Sequence, residues 1–305
     1  MAAMQAVTRA ASGTDARLAR LRRPVRDALV VVGIGRALWF VLVQGIRPWE
    51  SAGVDARAYW QVDLAHPYVG SAVGDISTYL YSPAFAQALA PFGALPFPVF
   101  FALWTAISVA ILIWLVRPWP WVAPILILPI VYELCVGNVH FLIAAAIVLG
   151  FRASALWAFP ILTKVTPGVG VLWFALRRDW RALALAVGVT TAIVVVSFAL
   201  APSAWTDWIA FLAASPGRSQ LLPLRIAGAI CLVALGAWTN RRWFVPIAIW
   251  IALPIIWVNS WVILLAIIRL RQTSTTRLNT ALPTPGPSAR ILPRSGDERA
   301  TDEAG

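Results

Sequence analysis

Residues 97–116 read FPVFFALWTAISVAILIWLV, a run with no charged side chain. A helix of that length rises about 30 Å, the thickness of a bilayer's hydrocarbon core. Residues 182–200 form a second such run, and long uncharged stretches recur from Ala28 to Leu270. The chain of 305 residues is 60% hydrophobic and only 12% charged. Soluble domains carry about a quarter of their residues as charges. The sequence therefore predicts an all-α polytopic membrane protein, with no separate soluble domain of ordinary size.

The net charge is +12. The arginines stand in clusters at the ends of apolar runs: before the first run, at Arg117, at Arg152, at Arg177–Arg178–Arg181, at Arg241–Arg242 and at Arg269–Arg271–Arg277. That is the pattern of cytoplasmic loops, so no nucleic-acid partner is expected. Six clusters on one side require an even number of crossings between neighbours. The spans that satisfy this are 28–46, 97–116, the pair 121–136 and 139–151 turning at Gly137–Asn138, 182–200, 224–239, and a last pair, 243–258 and 260–270, turning at Asn259. Loops 47–96 and 201–223 then lie outside.

Residues 154–176 fit one ordinary span, which would put Arg177, Arg178 and Arg181 outside. A hairpin of two short helices broken near Lys164–Pro167 keeps them inside and is the preferred reading, because proline disfavours helix at the residue before it. Broken helices at membrane depth line cavities rather than lipid. Residues 1–27 read as a basic cytoplasmic segment, 28–270 as the membrane domain, and 271–305, rich in Ser, Thr, Pro and charge, as a disordered cytoplasmic tail. The 28–46 run exceeds a usual signal-peptide core and no small-residue cleavage site follows, so it reads as an uncleaved span. Cys135 and Cys231 both lie in apolar runs and read as small core residues.

Of thirteen acids, six fall near the outer face or in the membrane: Glu50, Asp55, Asp63, Asp75, Glu133 and Asp207. Asp55 stands in Gly53-Val54-Asp55-Ala56-Arg57-Ala58-Tyr59-Trp60. If this stretch is a short helix, Asp55, Tyr59 and Asp63 share a face at i, i+4, i+8. A carboxylate beside hydroxyl groups suits sugar binding and general-base work. The bland alternative is a solvated loop acid paired with Arg57. Asp75 reads as a turn residue and Asp207 as a helix start. Tyr79-Leu80-Tyr81-Ser82-Pro83 reads as an interfacial aromatic belt with a turn proline. Lys164, the lone lysine, lies in an apolar stretch; an ionisable group at that depth is a candidate functional residue, here for a lipid phosphate, and otherwise a side chain snorkelling to the interface. His140 and His66, taken alone, read as satisfied structural histidines. No metal-ligand spacing, phosphate-cradling glycine loop or Ser/His/Asp arrangement is visible.

Four stretches in order resemble the polyprenol-phosphate-mannose-dependent glycosyltransferases of family 87, in the GT-C superfamily. They are Asp55 to Trp60, Tyr79 to Pro96, Gly137 to Phe141, and Lys164-Val165-Thr166-Pro167 followed by Arg177-Arg178-Asp179-Trp180-Arg181. Pro254-Ile255-Ile256-Trp257 is a weaker fifth. The resemblance implies a GT-C-like bundle of about ten transmembrane or half-membrane helices with a catalytic first outer loop. It implies a multi-pass protein of the cell membrane that moves a hexose, by analogy mannose, from a polyprenyl-phosphate carrier to an envelope glycolipid or glycan on the extracytoplasmic side. The acid matching Asp55 would be the base. Tyr59, Asp63, Tyr81, Asn138, His140 and Lys164 would bind substrate, and no cofactor is required. The carrier is β-linked, so inversion gives an α-glycoside. The chain departs from the pattern in being shorter than many members and in carrying Val258, Asn259 and Ser260 where many have a histidine after Pro-x-x-Trp. Two other classes stay open: a lipid or small-molecule transporter, which the break at Lys164–Pro167 suits although no second half repeats it, and a catalytically inactive relative.

The orientation has a direct test. In a background with Cys135 and Cys231 replaced by serine, Ser71→Cys should react with an impermeant thiol reagent in intact cells and Ser288→Cys should not; the reverse pattern overturns the orientation.

Overall fold

The computed structural model describes residues 23–45, 47–69, 78–214 and 220–271. The basic N-terminal segment up to residue 22, the expected turn at Asp75 and the tail from residue 272 lie outside the described residues. Among the described residues every regular element is helical.

The first described helix, α1 (23–42), already includes the five residues before the expected 28–46 span and stops four residues short of that span's end. After a 3₁₀ turn at Pro48–Ser51 come α2 (Val54–Trp60), α3 (Pro83–Leu89) and α4 (Phe97–Val116). The next elements are α5 (Val122–Ile125), α6 (Ile127–Val136), α7 (His140–Gly150) and α8 (Ala158–Lys164). A 3₁₀ stretch, Thr166–Val171, leads to α9 (Leu172–Leu176), α10 (Trp180–Leu200), α11 (Pro202–Ala214), α12 (Leu222–Trp238) and α13 (Phe244–Ala252). A 3₁₀ helix, Val258–Leu265, and a helical turn at 266–271 are the last of the described residues.

Among the described residues two helices, α4 and α10, are long and apolar enough to cross a membrane, and α6 with α7 would make a third span if the bent pair is counted as one. Their surfaces confirm the solvent. On α10 only Ala186 and Ser197 are buried, while Leu185, Val187, Val195, Val196, Phe198 and Leu200 face outward. On α4 the buried side chains Phe100, Trp104, Ser108 and Leu115 form one stripe, and Val99, Leu103, Ile107 and Ile113 lie on the other side. Water would penalise such surfaces; hydrocarbon does not, provided the backbone is hydrogen-bonded within the helix. Asp179 caps α10, its carboxylate accepting from Ala182 N at 3.2 Å. The core lies among α7, α13 and the 3₁₀ helix, where Ile143, Ile147, Ile249, Leu253, Ile263 and Leu265 are fully or almost fully buried.

Several boundaries differ from the sequence reading. The stretch 154–176 is broken at Val165 (φ 54°, ψ −61°), which ends α8 two residues before Pro167, within the expected Lys164–Pro167 interval. The stretch 201–223, expected as an outer loop, holds a helix, α11, which starts at Pro202 and not at Asp207. The last pair turns at Leu253–Trp257 rather than at Asn259: Leu253 is extended (ψ 136°) because Pro254 follows it, and Asn259 lies within a 3₁₀ helix. Cys231 is exposed and Cys135 half-buried, so neither is a core residue. Tyr79 and Tyr81 are buried, not displayed as an interfacial belt.

The bend between α6 and α7 is 108°. It turns on Gly137, whose φ of 74° lies in the left-handed region, and a Cβ there would stand 2.7 Å from the Ala56 Cβ of α2. A side chain in this conformation costs about 1–3 kcal/mol, before the clash is counted. Gly137→Ala should therefore lower the unfolding temperature in detergent. Gly188→Ala, in α10 with nothing within 4 Å, should be neutral or stabilising by up to about 1 kcal/mol. Equal effects of the two substitutions would refute this account of the bend.

Candidate active site

α2 is positioned by its first residues. Gly53 (φ 72°) precedes it, and the Gly53 N–H donates to Cys135 O at 2.7 Å, which docks α2 onto the end of α6. Ala56 and Ala58 are buried, small enough to let the helix approach. Tyr59 is buried and packs against Tyr81, Phe85 and Trp104, with ring centroids 5.1, 5.5 and 5.4 Å away. The hydroxyls of Tyr59 and Tyr81 stand 2.8 Å apart. Tyr68 donates to Tyr81 O and Tyr79 to Ser82 O, both at 2.7 Å, so the segment before α3 is held by aromatic side chains that also carry hydrogen bonds. Ser82 N donates to Leu162 O at 3.3 Å, which fastens this segment to α8.

Asp55, on the first turn of α2, accepts a hydrogen bond from the Asn138 amide, Nδ2 to Oδ2, at 2.6 Å. Asn138 sits at the α6–α7 bend with its Oδ1 accepting from Val139 N at 2.7 Å, so the amide is gripped at both ends. Lys164 is the last residue of α8. Its Nζ lies 5.4 Å from the centre of the Tyr81 ring, a cation–π arrangement. Next to it Val165 adopts positive φ, a strained conformation for a β-branched residue.

These groups face one cavity of about 380 Å³. Asp55, Tyr59, Tyr81, Asn138 and Lys164 are among its polar lining residues. Trp208, Phe211 and Leu212 of α11, Leu222 of α12, and Leu253, Pro254, Ile255 and Trp257 are among its lining as well, most of them apolar. α11 is brought there by Ser197 at the end of α10, which accepts from Trp205 Nε1 at 2.9 Å and, through its carbonyl, from Gln87 Nε2 at 3.2 Å. An apolar cavity with a few convergent polar groups is the form of a small-molecule site. Burial pushes the Asp55 carboxyl above its ordinary range, while the Asn138 hydrogen bond and the Lys164 charge pull it back. Burial likewise pushes the Tyr59 and Tyr81 hydroxyls up, keeping them neutral donors and acceptors. The site can thus hold a carboxylate base, an ammonium and an apolar chain side by side.

Not every residue singled out in the sequence arrives there. Asp63 does not share a face with Asp55, because α2 stops at Trp60. Its Oδ1 accepts from Ala65 N at 2.9 Å and Oδ2 lies 3.6 Å from His66 Nδ1, both side chains being exposed. A local bond of this kind competes with helix continuation. Arg57 does not pair with Asp55; its guanidinium lies 4.0 Å from the centre of the Phe97 ring. Glu50 pairs with Arg47 at 3.2 Å on the surface. His140 is buried behind the cavity, its Nδ1 2.9 Å from Glu133 Oε2. Sequence reasoning passed over two features: the aromatic wall of α11, and Glu133 with Asn259, whose Nδ2 donates to Glu133 Oε2 at 2.8 Å. An acid within the apolar run 127–136 was the available signal for Glu133.

The model of glycosyltransferase family 87 matches residues 79–283. The chain belongs to glycosyltransferase family 87. It is a helical membrane glycosyltransferase, acting with a sugar donor, an acceptor and membrane lipid. Neither a curated protein nor a solved structure matches the chain. The matched stretch of this family 87 member holds Tyr81, Asn138 and Lys164 and begins after Asp55. The 2.6 Å bond from Asn138 is what ties Asp55 to it.

Proposed function

We propose that this chain moves a hexose, by family analogy mannose, from a polyprenyl-phosphate carrier to a hydroxyl of an envelope glycolipid or glycan, with inversion at the anomeric carbon. The observation that carries this reading is that Asp55 and Lys164 line one cavity whose other lining is largely apolar. The catalytic domain is 28–270, a GT-C-like bundle whose first outer loop supplies Asp55 on the extracytoplasmic side of the cell membrane. In the reaction the acceptor hydroxyl oxygen attacks the anomeric carbon. Its proton passes to the Asp55 carboxylate as the bond from that carbon to the phosphate oxygen breaks and polyprenyl phosphate leaves. Asp55 Oδ2 is held by Asn138, which leaves Oδ1 for the acceptor proton. Lys164 takes the phosphate, as a cationic clamp that stabilises the charge growing on the leaving group. The hydroxyls of Tyr59 and Tyr81 bind the sugar, and the apolar wall takes the prenyl chain. His140 faces Glu133 and supports the site from behind, and Asp63, off the cavity, has no part. No nucleotide is involved, since the carrier already activates the sugar.

The deciding experiment is transfer from polyprenyl-phosphate-mannose in membranes. Asp55→Asn keeps the size and the Asn138 contact but removes basicity; loss of a general base costs about 10²–10⁴-fold in rate. It should fold, leave the donor KM nearly unchanged and transfer almost no sugar. Near-normal transfer by this variant would show that the base lies elsewhere. The pH profile offers a second check. The base works ionised, so activity is full above the Asp55 pKa and falls as pH drops through it. Because burial raises that pKa, the acid limb should lie above the usual carboxylate range, and a limb below it contradicts the assignment.

Lys164→Met should raise the donor KM or lower turnover by the equivalent of about 1.5–3 kcal/mol, the worth of a hydrogen bond to a charged group. Unchanged kinetics would reduce Lys164 to an interface anchor. Arg57 would then be the better clamp candidate; Arg218, the other, lies outside the described residues.

A further inference from the structure

We infer that Glu133 is a positioning residue of the transfer reaction, fastening the α6–α7 bend to the segment after Trp257 and so holding the Asn138 amide against Asp55. This rests on the assignment of Asp55 as base. Glu133 is buried in the last turn of α6, in an apolar bundle where an unpaired carboxylate would be strongly disfavoured. It has three donors. Oε1 accepts from the His140 backbone N–H at 2.7 Å; Oε2 accepts from His140 Nδ1 at 2.9 Å and from Asn259 Nδ2 at 2.8 Å.

The three bonds span two breaks in the chain. Two cross the 108° bend, from α6 to the first residue of α7, and one reaches the 3₁₀ helix that follows Pro254–Trp257. Asn138 lies inside the loop that the first two bonds close. Its Oδ1 is committed to Val139 N, so its amino group must point at Asp55. Freeing Glu133 would let the bend open and carry the Asn138 donor away from Oδ2. Asn259 lines the cavity as well, so the same carboxylate holds two of its lining amides, Asn138 through the bend and Asn259 directly.

The electrostatics give the inference a signature that looser packing would not reproduce. After burial and the Asn138 bond, the charges acting on Asp55 are Lys164 from α8, Glu133 from α6 and His140 from α7; Tyr59 and Tyr81 face it as neutral groups. Lys164 and His140 favour the ionised form, and Glu133 disfavours it. Removing the Glu133 charge should move the acid limb of the pH profile down. Removing one of its donors leaves that charge less compensated and should move the limb up.

The test compares Glu133→Gln and Asn259→Leu in the full-length protein in membranes, with polyprenyl-phosphate-mannose as donor and melting in detergent as the fold control. Glu133→Gln should lower kcat by up to about 100-fold, as small displacements of a reacting group do, with the donor KM within twofold of the parent. The two acid limbs should shift in opposite directions. If Glu133→Gln keeps the parental kcat and limb, the inference is overturned. If Glu133→Gln fails to fold, Asn259→Leu decides alone: an acid limb that stays put or moves down overturns the inference. If the parent transfers no sugar, or Asp55→Asn is as active as the parent, the underlying assignment of function fails, a result distinct from either of these.

Discussion

A helix that starts inside an apolar bundle exposes backbone N–H groups that water cannot reach, and the architecture of this protein follows from how one such start is satisfied. At the bend between α6 and α7 the chain turns through 108°. The two N–H groups at the head of α7 go to side chains: Val139 N to Asn138 Oδ1 and His140 N to Glu133 Oε1. The bend therefore requires an amide and a carboxylate at these places for structural reasons alone. Once present, they have capacity to spare. Asn138 uses its amino group on Asp55, and Glu133 uses its second oxygen on His140 and Asn259. The grip on Asp55 is thus the surplus hydrogen bonding of a helix start.

What could be read from the sequence follows the range of the interactions. The spans 97–116 and 182–200 were visible because each residue there makes the same local statement, apolar and uncharged, and the helices found are Phe97–Val116 and Trp180–Leu200. A break within Lys164–Pro167 was visible because proline inside an apolar run interrupts a helix nearby, and the break falls at Val165, two residues before it. The extent of α2 was not. Extending a face from Asp55 to Asp63 assumes that the helix continues, whereas the Asp63 carboxylate closes a local bond to Ala65 N instead. The turn of the last pair was misplaced because Asn259 looked like a turn residue. Its amide is in fact spent on Glu133, 126 positions away, a partner that no local pattern can reveal.

The tyrosines show the same limit from another side. A Tyr-rich stretch beside proline is equally suited to a membrane interface and to a packed floor, since the side chain has an apolar body and a polar tip. Burial decides in favour of the floor here. Tyr68, Tyr79 and Tyr81 each stand within 6.0 Å of another aromatic ring, measured between centroids, and the hydroxyls of Tyr68 and Tyr79 reach backbone carbonyls. Four segments distant in sequence, α2, the strand-like stretch before α3, the α6–α7 bend and the end of α8, had to be brought together before Asp55, Tyr81, Asn138 and Lys164 could be seen as one group.

Their company has an electrostatic logic. Asp55 and Glu133 put two carboxylates near a cavity that Lys164 also lines, and the Lys164 charge acts on Asp55. Low polarity around them magnifies each charge relative to water. Glu133 is quenched by three donors and Asp55 by one, so the less satisfied carboxylate is the one that faces the cavity. A carboxylate that keeps one oxygen free for a substrate proton has what a base requires. In the proposed reaction this division separates two acids of the same chemistry into two tasks. Asp55, at the open end of the network, accepts the acceptor's proton, and Glu133, at the closed end, keeps the geometry in which that proton can arrive.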